Sequence, residues 1–187
     1  TFLAMTRRCE IAELDQLAMT CELVGITGRL VHGLQLERGL SCLYLGSQGA
    51  RFAARRLDQI AACQPLEAEL RHWFESLESL DARRAPLVGR TRLYSRVAYA
   101  QQGLEALGAL RQRITALDWP ARRAAAAFRR LIAALLTVVF EAADGASDPE
   151  ISRLLVAIFH LMQAKEFAGQ ERALGAALLA TGVNQAD

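Results

Sequence analysis

The chain has 187 residues, a length that suits one domain able to bury a core without metal or disulfide support. Hydrophobic residues make up 52% and charged residues 22%, with four prolines, which excludes a disordered chain. A formal net charge of +2 removes any bulk electrostatic reason for nucleic acid or an anionic membrane to be the main partner, and leaves only local arginine clusters such as Arg55-Arg56 and Arg122-Arg123.

The apolar period is helical almost throughout. Residues 30–46 form a candidate helix with a charge in its apolar stripe. In 50–80, Phe52, Ile60, Leu66, Leu70, Trp73 and Leu77 mark one face, and Pro65 predicts a kink or break. Residues 81–89, "DARRAPLVG", read as a connection, and a helix from about 90 to 117 follows on Leu93, Val97, Leu104, Leu107 and Leu110. Two further starts are well marked. "LDWPARR" puts Asp118 and Pro120 at a cap and first turn, and "GASDPE" does the same with Asp148, Pro149 and Glu150. The predicted helices therefore run over 120–143 and 149–181.

No stretch alternates as a strand does. The expected fold is all-α, one domain over 1–187, a bundle of long antiparallel helices of the four-helix type. The longest apolar run, Leu131 to Phe140, is about half of the roughly 20 residues a membrane span needs. Cys9, Cys21, Cys42 and Cys63 form no CxxC pair and read as small buried helix residues in a reducing cytoplasm. The chain opens on Thr, so the sequence leaves its native start open. No nucleophile stands beside a base at motif spacing, and no phosphate loop or metal-ligand pair is present, so neither catalytic residues, metal nor cofactor are expected.

On a helix, Val31, Leu34, Ser41, Cys42 and Leu45 share the face of Arg38. The same spacing around Arg172 collects Ala168, Gly169, Gly175, Ala176 and Leu179. A guanidinium among apolar and small residues must find an anion, because an unpaired buried charge is costly. Two readings stand: Glu37, Glu171 or acids elsewhere in the bundle neutralise the arginines, or a small bound oxyanion does.

"LVHGLQLERGLSCLYLGSQGARFA" resembles the first signature of the NIT domain, the nitrate- and nitrite-sensing domain of bacterial regulators, written near L-x-H-E-L-Q-x-E-R-G-x-S-A-x-Y-L-G-S-x-G. "DPEISRLLVAIFHLMQAKEFAGQERALGAALLATG" resembles its second, around A-K-E-x-A-G-x-E-R-A-x-G, and the likeness spans about 25 to 182, with signatures at 30–49 and 149–182. The resemblance implies an all-helical sensor placed before outputs such as RNA-binding antiterminator modules, histidine kinases, cyclases or chemoreceptor regions. It assigns nitrate or nitrite as ligand, Arg38 as the residue holding it, and Arg172 as a second arginine of the site.

Gly33 and Cys42 depart from the pattern, which usually has Glu and Ala there. The family's domain normally continues past the second signature, so a chain ending at Asp187 implies a fragment or a short variant. A guanidinium offers parallel N–H donors to two coplanar oxygens, as a planar nitrate requires. Ser41, Tyr44 and backbone amides freed in the "LGSQG" turn are candidate further donors. His32, in the first signature, is read as a structural hydrogen-bonding residue. A homodimer through the helices carrying Gly169, Gly175 and Ala176 is expected. The alternative to sensing is a ligand-free dimerisation or docking scaffold.

Overall fold

A computed structural model of the chain describes residues 2–81, 91–146 and 148–181, with side chains described for all of these except 2–6, 8–10, 12, 78–81 and 174–181. Five helices occupy them: α1 (Phe2–Gly46), α2 (Ala53–Asp81), α3 (Thr91–Thr115), α4 (Ala121–Asp144) and α5 (Pro149–Thr181). The described residues contain no strand. The all-α bundle expected from the periodicity is the observed architecture. Most of the predicted 81–89 connection lies outside the described residues, as does its Arg83.

Apolar residues crowd almost every side of α4 between Leu131 and Val139, which explains its central place. It packs against α1, α3 and α5. The helix α1, 45 residues and therefore about 68 Å long, packs against α2, α4 and α5, whereas α2 and α3 meet only marginally. The core joins Leu23, Ile26, Leu30 and Leu34 of α1, Leu70 and Phe74 of α2, and Leu104, Leu107 and Ile114 of α3. Phe128, Ile132 and Leu135 of α4 complete it. A smaller cluster of Val24, Val139, Ala143 and Leu155 seats α5 against α1 and α4.

Short turns return the chain onto its own helices. After α1, Gln48 adopts φ 52° and Gly49 φ 80°; the Gly49 N–H reaches Tyr44 O at 2.9 Å and the Gln48 N–H reaches Leu45 O at 3.1 Å. That pair of bonds is the Schellman ending, which caps the last carbonyls of α1. Leu117 (φ 57°) ends α3 in the same manner, with the Asp118 N–H on Arg113 O at 3.0 Å.

Three local expectations are corrected. Pro65 does not end α2, because Pro65 and Ala61, whose carbonyl loses its helical N–H donor, both lie on the exposed side where water replaces the bond. Asp118 does not cap α4: the N-cap is Pro120 with no side-chain cap bond, and Asp118 instead accepts from Arg113 at 3.3 Å. The amides of the "LGSQG" turn are not free donors, since those of Ser47, Gln48 and Gly49 are all bonded to carbonyls at the end of α1. Asp148 does cap α5, accepting from the N–H groups of Glu150 (2.8 Å) and Ile151 (3.2 Å).

Leu135 is fully buried in the core, whereas Leu161 on the outer face of α5 is 71% exposed. Leu135→Ala is therefore expected to cost about 2–5 kcal/mol in urea unfolding. Leu161→Ala should stay within about 0.5 kcal/mol.

Candidate functional site

Consecutive residues on a helix point about 100° apart, so Glu37 and Arg38 leave α1 toward different neighbours. Both are buried. Arg38 turns to α5, where its Nη1 donates to Glu166 Oε1; the two side chains are only 4% and 5% exposed. The Glu166 carboxylate accepts two more bonds, from Gln35 Nε2 on Oε2 (3.0 Å) and from Gln170 Nε2 on Oε1 (2.7 Å). Gly169 allows this approach. A Cβ there would stand 3.1 Å from Arg38 Nη2, tighter than ordinary contact.

Glu37 turns the other way. Arg111 of α3 meets it with a two-pronged fork, Nε to Oε1 at 2.9 Å and Nη2 to Oε2 at 2.7 Å, and the same Nη2 donates to Glu67 of α2 at 2.6 Å. Burial alone would lower the Arg111 pKa; the two carboxylates more than reverse that and raise it, so the guanidinium stays charged. Arg56 of α2, 2% exposed, lies in the same interior without a carboxylate among its hydrogen-bond partners. Its Nε, Nη1 and Nη2 donate to Ser41 Oγ (3.3 Å), Thr115 Oγ1 (3.1 Å) and Arg111 O (3.0 Å), with the Tyr44 ring 5.3 Å away. Burial pulls its pKa below the ordinary arginine value, and the nearby Glu37 opposes that.

Arg38, Arg56 and Arg111 thus stand against Glu37, Glu67 and Glu166 in the interior, with the half-exposed Arg71 4.0 Å from Glu67 at its edge. At the rim of the α1–α5 seam, Lys165 Nζ lies 2.8 Å from His32 Nδ1. Burial and then the Lys165 cation push the His32 pKa down, which keeps the ring neutral and able to accept from the ammonium. On the α2 side, Gly33 accommodates Cys63: a Cβ at 33 would come within 2.8 Å of the Cys63 sulfur. Burial pushes the Cys63 thiol up to about 11. Among the described residues, no group of three or more His, Cys, Asp or Glu could hold a metal ion.

A family model described as nitrate and nitrite sensing, NIT, matches residues 29–187. The chain belongs to the NIT family. The nitrate regulatory protein of Klebsiella oxytoca is 38% identical over 180 residues, covering 96% of this chain and 43% of that protein. The solved structure of the NasR transcription antiterminator superposes with a TM-score of 0.84 at 37% identity, over 97% of this chain and 47% of that one. The NIT chain therefore spans less than half the length of either relative. Among its described residues no helix is long and apolar enough to cross a membrane.

Both NIT signatures acquire physical meaning at the α1–α5 seam. Residues His32, Gln35 and Arg38 of the first meet Lys165, Glu166 and Gly169 of the second, and Gln170 braces Glu166 from within α5. Arg38 lies where its sequence face predicted, with Val31, Leu34, Ser41 and Leu45 also buried. Its partner is Glu166, neither Glu37 nor Glu171. The hydrogen bonds of Ser41 and Tyr44 are not directed at Arg38. Ser41 accepts from Arg56, and the Tyr44 hydroxyl donates to Thr115 O at 3.4 Å. Arg172 is exposed on α5, in contrast to Arg38, one turn beyond Gly169; the side chains of Gly175, Ala176 and Leu179 lie outside the described residues. Of the cysteines expected to be buried, Cys63 is buried, Cys42 half-buried and Cys21 exposed.

Glu166, Gln35, Gln170, Arg56 and Arg111 carry the network and escaped the sequence reading. The A-K-E of the second signature was the available signal for Glu166. For Arg56 and Arg111 there was none, because their partners come from other helices.

Removing Arg111 takes the ion-pair partner from the buried Glu37 and leaves Glu67 with the 4.0 Å pair to Arg71. Arg111→Ala is expected to destabilise the fold by about 3–5 kcal/mol in chemical denaturation. Arg29→Ala, which breaks the exposed 2.8 Å pair with Glu69, should cost about 0–1 kcal/mol.

Proposed function

We propose that this chain is the oxyanion-binding part of a regulator that binds nitrate or nitrite at Arg38 and signals by repacking α5 against α1. The observation that carries the reading is Arg38 itself. It is a buried guanidinium placed by the first NIT signature directly against the second and engaged there by a planar carboxylate. A guanidinium meets nitrate through parallel N–H donors, which a lysine could not supply.

In this reading the exposed Arg172 draws the anion toward the seam. Ser41 and Tyr44 act through Arg56, whose hydrogen bond and ring contact steady the same stretch of α1. A ligand drives a helix rearrangement only if it binds one packing better than the other. The α1–α5 seam offers such a difference because charged groups on two helices share the site. The likeness to the NasR transcription antiterminator supports an antitermination output, an RNA-binding module elsewhere in a longer polypeptide. The reading places the protein in the cytoplasm, where Cys21, Cys42 and Cys63 stay as free thiols.

A folded-state ligand stabilises by RT ln(1 + [L]/Kd), about 2.7 kcal/mol at a hundredfold excess over Kd. At about 2–4 °C per kcal/mol for this size, saturating nitrate or nitrite is expected to raise Tm by about 5–10 °C over chloride at equal ionic strength. Arg38→Ala should abolish the difference while circular dichroism stays helical. Arg172→Ala should shrink it, and Arg29→Ala should leave it unchanged. Identical melting curves of the parent protein in nitrate and chloride would remove the reading.

The same reading includes a homodimer in which two copies pair along α5 and cover Leu154, Ile158 and Leu161, all exposed in the single chain. Light scattering is expected to return twice the 20.5 kDa chain mass; the single-chain mass at tens of micromolar would overturn it.

A further inference from the structure

The Glu166 carboxylate is a planar O–C–O group buried against three side-chain donors that converge from two helices. Arg38 Nη1 and Gln170 Nε2 donate to Oε1, and Gln35 Nε2 donates to Oε2. Nitrite is a planar O–N–O group of the same charge, and nitrate adds one oxygen in the plane. A site that satisfies both oxygens of a carboxylate from within the protein has the donors that either ion needs.

We propose that Glu166 is a tethered occupant of the oxyanion site, and that nitrate or nitrite binds by displacing its carboxylate from Arg38, with Gln35 and Gln170 as additional ligands. This rests on the reading of Arg38 as the ligand-binding arginine.

Charge balance supports exchange over simple addition. At the seam Arg38 and Glu166 already balance each other, so an anion added beside the intact pair would meet no uncompensated buried cation there. Exchange removes one carboxylate for each oxyanion taken up and leaves the charge of the seam unchanged. The geometry also decides which partner moves. Arg38 stands on α1, which packs against α2, α4 and α5. Glu166 stands on α5, the helix whose outer side is exposed, so its carboxylate has the shorter way out to solvent. Its departure releases the ion pair that ties α5 to α1 at this level, and thereby couples ligand binding to the position of α5.

Gln35 and Gln170 serve the resident carboxylate and the incoming ion alike. Truncating either in the parent protein weakens both competitors and partly cancels. Their contribution as ligands shows only once the competing charge is gone.

The test is isothermal titration of the protein with nitrate and, separately, nitrite, against chloride at equal ionic strength. Glu166→Gln, which keeps the shape and removes the charge, is expected to tighten both affinities at least tenfold. In that background, Gln35→Ala and Gln170→Ala should each weaken binding several-fold. Should Glu166→Gln lose its helical circular dichroism, Glu166→Asp carries the test: a carboxylate one methylene short of Arg38 competes less well, and binding should tighten in the same direction. Equal or weaker affinity in the folded Glu166 variants would overturn the exchange and leave Arg38 as the ligand-binding arginine. Absence of binding in the parent and in every Glu166 variant would remove both.

Discussion

Burying an arginine beside the axis of a helical bundle is the constraint from which the rest of this structure follows. Even after relaxation the effective penalty for desolvating a charge is several kcal/mol, and it is offset only when a counter-charge and further hydrogen bonds arrive in good geometry. Arg38 receives Glu166 from α5; its neighbour Glu37 receives Arg111 from α3, which also binds Glu67 of α2. Two adjacent residues of α1 thereby reach charged groups on three other helices. Apolar packing lets helices slide and rotate at modest cost, whereas these pairs hold only at one register.

The division of labour among the helices reflects that. Cohesion comes from α4, nearly all apolar in its middle and packed against α1, α3 and α5. The two NIT signatures sit instead on α1 and α5, where the seam is polar from His32 to Arg38: His32 with Lys165, Gln35 with Glu166, Arg38 with Glu166, and Gly169 where the guanidinium needs room. On the proposed reading, the ligand chemistry and the movable helix contact share the seam where the two signatures meet. Gly33, where the family pattern usually has Glu, lies on another side of α1, against Cys63 and Gln59. That departure alters the α1–α2 contact and leaves the seam intact.

How much of this was legible in the sequence depended on whether the controlling interaction was local. Asp148 before Pro149 marked the start of α5 because a side-chain oxygen two and three residues from its partners needs no tertiary help. The face of Arg38 followed from helical period alone. Pro65 was misleading, since the missing N–H matters little where water reaches the orphaned carbonyl, and exposure is a tertiary property. The "LGSQG" amides were misjudged because a Schellman ending consumes the donors that a glycine-rich loop advertises. The partner of Arg38 was hidden for the same reason: Glu37 and Glu171 are adjacent in sequence to the two signature arginines, while Glu166 is 128 residues from Arg38 and adjacent only in the fold.

The central claim is that Arg38 exchanges an internal carboxylate for an external oxyanion. A crystal structure of the protein saturated with nitrate tests it most directly. Nitrate density is expected against Arg38 Nη1, within hydrogen-bond distance of Gln35 and Gln170, with the Glu166 carboxylate turned out of the seam. An intact Arg38–Glu166 pair, with nitrate bound elsewhere, would contradict it.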